Sequence, residues 1–158
     1  MIRYIRHKEI DFQKWDACIS HAVNENIYAT SWYLDLVCKN WDALILNDYQ
    51  AVMPLPWSKK WGLKYIAQPL FCQQLGVFHH SKNINVDDFL TSIPKLFLYV
   101  NLNLNVYNGK SKFTLKKNTN FELFINEHQY LRENYSQSHL KNISKAHNYP
   151  VEISTQVD

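Results

Sequence analysis

The residues best placed to do chemistry stand together in "AQPLFCQQLGVF", Ala67 to Phe78. Three glutamines, Gln68, Gln73 and Gln74, and one thiol, Cys72, sit among apolar side chains just after an expected strand. A buried amide must find hydrogen-bond partners. Two uses fit these amides. They hold loose backbone where a sheet opens, or they line a cleft and bind a substrate amide or carboxylate beside aromatic walls such as Phe71. Cys72 is the thiol placed for reactivity if any is, with inert packing as the plainer reading. Just upstream, "WSKKWGLKY" interleaves Trp57, Lys59, Lys60, Trp61, Lys64 and Tyr65. That pattern can stack single-stranded bases or simply tip a solvated hairpin. Trp57 and Tyr65 join the candidate binding residues. Late in the chain, Lys141 and Lys145 lie one helical turn apart. They are candidate anion contacts, although basic residues late in a helix also complement its dipole.

Other chemistries lack their residues. The chain has only three glycines, Gly62, Gly76 and Gly109, so neither a dinucleotide-binding nor a P-loop phosphate cradle can be built. No metal site is expected, because His79 and His80 have no Cys or second His at ligand spacing. Nucleophilic triads meet only in space, and spacing singles out no general base. Cys18 and Cys38 fall on expected apolar helix faces, where free cysteine commonly packs.

Positioning these residues requires one domain, which 158 residues can supply with a real core. With 46% hydrophobic and 20% charged residues the composition is globular rather than disordered. A net charge of +3 tolerates an anionic partner without demanding one. The N-terminus has no apolar signal-peptide core, no run reaches membrane-spanning length, and three cysteines fit no paired framework. A reduced, cytoplasmic protein with no membrane partner is the expectation.

Along the chain, "IRYIRH" alternates as a strand. Asp11 caps a helix whose inward face carries Phe12, Trp15, Cys18 or Ile19, and Ala22. A second helix, capped by Thr30 or Ser31, is expected to turn Trp32, Tyr33, Leu36 and Val37 inward. "WDALILN" and "AVMPLPW" form a hairpin through "NDYQ", and Pro54 and Pro56 require an edge or a break in the second strand. After "SKKWG" comes "KYIAQP", then a short helix in "VDDFLTSIPKL". "LYVNLNLNV" alternates strictly, predicting a strand with Leu98, Val100, Leu102, Leu104 and Val106 on one face and Tyr99, Asn101, Asn103 and Asn105 on the other. Asn108-Gly109 predicts a hairpin returning through "KFTLKK" and "FELFI". One helix from about His128 to Asn148, with Glu127 and Glu133 early, and a "VEIS" strand complete the list. The expected fold is α/β (α+β), a mixed, mostly antiparallel sheet flanked by helices.

The stretch Ile27 to Phe78, with its "SWYLD" helix, "WDAL…DY…AVMPLPW" hairpin and "QP.F.QQLG.F" segment in that order, resembles the opening half of Fem-type (FemABX-like) members of the GNAT acyltransferase superfamily. "YSQSHLKNISKA" looks like the helix that joins the first GNAT-like half to the second in that family. The resemblance implies a single GNAT-like domain over 1–158, the first half of a two-domain protein, with 128–158 as joining helix and strand. It implies a missing C-terminal GNAT-like half as partner, a small-molecule or peptide acceptor, and at most a weak tRNA contact. Without that half, the C-terminal strand is expected either to fold back onto its own sheet or to form a homodimer through its edge. GNAT enzymes hold CoA pyrophosphate on [Q/R]xxGx[G/A]; here Gln73, Gly76 and Phe78 occupy those positions, and Phe78 departs from the motif by replacing the small residue. The implied function is therefore a non-CoA-binding half of an N-acyl or aminoacyl transferase, one wall of an acceptor cleft, with no cofactor of its own. Acyl-CoA or aminoacyl-tRNA would be the donor of the full-length family. The other reading is a catalytically inert GNAT-shaped binding module for a peptide or small molecule.

Overall fold

The computed structural model describes residues 1–81, 84–108, 111–120 and 128–149. Strand β1 (Ile2–Ile5) precedes helices α1 (Phe12–Ser20) and α2 (Ser31–Val37). The meander β2 (Trp41–Leu46), β3 (Ala51–Lys60) and β4 (Leu63–Ala67) follows, then β5 (Phe78–His79), α3 (Val86–Thr91) and β6 (Phe97–Asn101). Helices α4 (His128–Glu133) and α5 (Gln137–His147) come last. The chain divides into two compact units, Met1–Lys116 and Lys117–Asp158.

In the first unit the sheet order is β1-β2-β3-β4-β6, with β5 pairing the start of β3. All pairings are antiparallel except β4 with β6. The fold is thus mixed α+β with a mostly antiparallel sheet. Because side chains alternate along a strand, the sheet feeds two cores. Ala43, Ile45 and Val52 pack with Trp15, Ile19 and Leu34 of α1 and α2. Leu44, Met53, Leu55 and Ile66 pack with Val86 and Phe89 of α3. Coverage on both faces explains why "ALIL", Ala43 to Leu46, reads as an unbroken apolar run, while the buried Asp42 before it accepts from Tyr4 OH and His7 N. Each fully buried Leu, Ile or Phe contributes roughly 1.5–3 kcal/mol.

Helix α1 forms with its predicted cap, the Asp11 carboxylate accepting from Lys14 N at 3.1 Å, and Trp15, Cys18 and Ile19 are buried, but Phe12 of the predicted inward face is exposed. Helix α2 does not turn the predicted face inward. Ser31 and Leu34 are buried, Tyr33 and Val37 are half-buried, and Trp32 and Leu36 are 57% and 75% exposed. The reason is Asp16 on α1. Its carboxylate accepts from Ser31 N at 2.8 Å and Ser31 Oγ at 2.5 Å, which fixes the rotation of α2 at its first residue.

Strand β3 runs unbroken through Pro54 and Pro56, both buried. Trp57 N donates to Asn40 O at 3.0 Å, so odd residues of β3 turn their N–H toward the β2 side and even residues turn away. On that far edge β5 pairs only Ala51 and Val52, and β4 pairs only from Trp57 onward. The prolines occupy the gap between the two neighbours, where their missing N–H orphans nothing. The expected edge is therefore present as a local opening inside the sheet.

The alternating "LYVNLNLNV" segment departs from prediction. Only Phe97–Asn101 is strand, Phe97 is its buried residue, and Leu98 and Val100 are 67% and 41% exposed. As an edge strand beside β4, β6 buries only its first residue, and Tyr99 on the same face as Phe97 is 61% exposed. From Leu102 the chain leaves the strand, and Leu102 and Leu104 turn toward the cores while Val106 is exposed. Asn108 ends a short 3-10 turn, Val106–Asn108, and is fully buried rather than tipping a hairpin. Gly109 lies outside the described residues. "KFTLKK" forms no strand. "FELFI", Glu127 and "VEIS" lie outside the described residues.

In the second unit the predicted single helix is two. Ser136 caps α5, accepting from His139 N at 3.2 Å, and the chain breaks at Asn134–Tyr135. A serine side chain competes for the backbone donors of a helix start, which ends α4 before it. Glu133 therefore closes α4 instead of opening a long helix, while Lys145 and His147 do occupy the last turn of α5.

Candidate functional site

The loop that returns from β4 to β5, residues 68–77, borders the opening in the sheet. Its shape is set by the asparagines that follow β6. Gln68 N donates to Asn101 O at 2.8 Å and Leu75 N to Asn103 O at 2.7 Å, while Asn105 N donates to Leu75 O at 2.9 Å. Side chains repeat the pattern. Asn103 Nδ2 donates to Gln73 O at 3.1 Å and Asn105 Nδ2 to Leu75 O at 2.9 Å. Val77 is gripped at both backbone groups: its N–H donates to Asn108 Oδ1 at 2.7 Å, and its carbonyl accepts from Asn24 Nδ2 at 2.8 Å and Asn108 Nδ2 at 3.1 Å. Asn24, Asn105 and Asn108 are all buried. Gly76 makes this approach possible, at φ +102°, because a Cβ there would lie 2.2 Å from Asn108 Oδ1.

The predicted binding residues are distributed over this region and do not converge on one point. Gln68 spans the loop internally: its Nε2 donates to Cys72 O at 2.8 Å and its Oε1 accepts from Asn103 N at 3.0 Å. Of the two uses open to it, holding backbone is the one realised. Gln73 is exposed and Gln74 half-exposed. Phe71 is 83% exposed with φ +66°, and its carbonyl accepts from Tyr33 OH at 2.8 Å. Cys72 is buried, and burial pushes its thiol up to about 11. A thiol so protonated at neutral pH is a poor nucleophile. Burial also raises Cys18 to about 11 and Cys38 to about 12.

Trp57 and Tyr65 lie on opposite faces of the hairpin, because Trp57 pairs Ile66 while Ser58 pairs Tyr65. The Trp57 indole N–H is buried with no acceptor among the described residues, and Lys64 Nζ lies 3.8 Å from the ring centroid. His79 is buried and His80 exposed, so the adjacent rings do not share a site. Burial holds the His79 imidazole below its ordinary range. No group of His, Cys, Asp and Glu suited to a metal occurs among the described residues. Lys141 and Lys145 are exposed on α5 in the second unit, which carries four Lys or Arg against five Asp or Glu in its sequence.

A concavity that spacing did not single out lies over α1. A shallow hollow of about 530 Å³ is lined by Lys14, Cys18, His21, Asp48, Tyr49 and His80. Lys14 Nζ pairs with Asp48 Oδ1 at 2.7 Å, and this hydrogen bond holds the ammonium above its ordinary range. His21 Nδ1 donates to Ala17 O at 2.7 Å. Lys14, Cys18 and His21 stand at i, i+4 and i+7, a shared helix face visible in the sequence.

No family model, no curated protein and no solved structure matches the chain.

Proposed function

We propose that the chain is the N-terminal, non-CoA-binding half of an N-acyl or aminoacyl transferase of GNAT-like fold, contributing one wall of an acceptor cleft at the sheet opening. The observation that carries the reading is the occupation of the backbone donors in "QQLGVF". Leu75 N is taken by Asn103 O and Val77 N by Asn108 Oδ1. A pyrophosphate cradle needs free N–H groups converging on one point. Here they are spent on bracing the loop, and the following helix α3 begins only at Val86. The acceptor wall in this reading lies at the break in strand pairing at Pro54–Pro56 between β4 and β5, where the residues are buried and the braced loop forms the border. The tRNA contact imagined through Lys141 and Lys145 loses support, since the second unit is not net basic in sequence.

Acetyl-CoA titrated into the labelled chain should leave the amide resonances of Leu75–Phe78 unmoved, with no measurable heat in calorimetry. Amine-bearing peptides or amino sugars should instead shift residues beside the opening, such as Leu55, Ile66 and Gln68. Micromolar acetyl-CoA binding at the loop would overturn the reading.

A further inference from the structure

The tip of the β3–β4 hairpin carries a costly and unusual choice of residues. The turn is the two-residue pair Trp61-Gly62, at φ +50° and +85°. Both positions of such a turn favour Asn, Asp or Gly, because side chains crowd the left-handed region. A tryptophan stands there and is 90% exposed, the most exposed large apolar side chain described. Leu63, on the other side of Gly62, is 55% exposed. Neither side chain belongs to a core cluster among the described residues. Strain retained at an exposed position points to a contact outside the fold.

The surroundings say what kind of contact. Lys59 and Lys60 are exposed and Lys64 half-exposed, with Lys60 Nζ lying 4.8 Å from the Trp61 ring centroid. No Asp or Glu stands between Asp48 and Asp87, so no acid in that stretch offsets these charges. These charges beside exposed Trp61 and Leu63 suit an anionic partner that also accepts an apolar tip. A single-stranded nucleic acid would use a track of open rings. Here Trp57 and Tyr65 are half-buried, Lys64 covers the Trp57 face, and the second open apolar group is an aliphatic leucine. Tryptophan beside leucine, ringed by lysines, fits the headgroup boundary of a bilayer, where the indole is half in hydrocarbon and cations meet lipid phosphates.

We propose that this hairpin tip docks on an anionic lipid surface, with Trp61 and Leu63 entering the boundary and Lys59, Lys60 and Lys64 meeting the headgroup charges. No described helix is long and apolar enough to cross a membrane, and a peripheral contact requires none. The contact is independent of the transferase reading.

The test is co-sedimentation of the full chain with phosphatidylcholine vesicles, with and without phosphatidylglycerol, at low and physiological salt. Binding is expected only with the anionic lipid and should weaken as salt rises. Replacing one of the three lysines by glutamine should weaken it by about fivefold. Trp61→Asn should weaken it by roughly tenfold or more, while the thermal midpoint stays level or rises, because asparagine suits the turn. Failure of the native chain to bind anionic vesicles, equal binding to neutral ones, or undiminished binding by Trp61→Asn would each overturn the proposal. So would a chain that ignores vesicles and binds a single-stranded oligonucleotide through Trp61, which would assign the tip to nucleic acid.

Discussion

Adding one methyl group to Gly76 would place a carbon 2.2 Å from Asn108 Oδ1, on a backbone already at φ +102°. Left-handed strain and overpacking act together there, so Gly76→Ala should cost roughly 2–4 kcal/mol in denaturant unfolding. Asn108→Ala removes the acceptor of Val77 N in a fully buried site and should cost about 1–3 kcal/mol. The two changes share an atom, since truncating Asn108 removes the oxygen that the new methyl would strike. The double variant should therefore lose less than the sum of the single losses. Strict additivity would mean that the contact does not constrain Gly76. The thiols illustrate the same dependence on surroundings: Cys72 is at a loop position that invites chemistry, yet burial keeps it protonated.

Among the elements, α3 shows how a short helix can organise a segment far along the chain. Asn85 caps it, accepting from Asp87 N, and the Asp87 carboxylate then accepts from Ser111 Oγ and, at 2.9 Å, from Lys112 N. The Ser111 hydrogen bond first, and the Lys112 N–H second, hold the Asp87 carboxyl below its ordinary value of 3.8. A depressed pKa favours the native state above the unfolded pKa and loses that contribution as pH falls through the folded one. The clasp should thus be intact at neutral pH and released only below about pH 3.8, the ordinary carboxyl value. The Lys112 amide resonance should follow that titration with a midpoint below the ordinary value, and Asp87→Ala should show the released resonance at pH 7. A Lys112 amide indifferent to both would show that the clasp contributes nothing in solution.

Among the described residues, apolar burial is concentrated in the first unit. Both core clusters lie between Ile2 and Leu104, including the half-buried side chains packed on them. A fragment of residues 1–116 should therefore fold cooperatively by itself and keep the near-ultraviolet dichroism of its packed Trp15, Trp41 and Phe78. A fragment that is molten, with secondary structure but no fixed aromatic signal, would contradict this. The acceptor opening and the hairpin tip both belong to this unit, so such a fragment would also isolate the two functional proposals from the second unit.

Elements that rest on local chemistry were legible in the sequence. Asp11 beside an apolar helix face, "NDYQ" between two apolar runs, and acids opening the helix at Val86 each act within a few residues, and each element formed. The alternation of "LYVNLNLNV" was also legible as a pattern, but period two does not say which face is covered. In the fold β6 is an edge strand that buries only Phe97 against the α3 side, a matter of sheet order. The rotation of α2 likewise needed Asp16, fifteen residues upstream, to grip Ser31. The glutamines and asparagines carried the largest gap between pattern and outcome. Sequence marked Gln68 as an amide needing partners, while only the return of Asn101–Asn108 alongside the loop decided that backbone would supply them. A polar side chain's role is set by which backbone groups tertiary structure brings within hydrogen-bond reach, and that distance in space is not encoded by its neighbours in the chain.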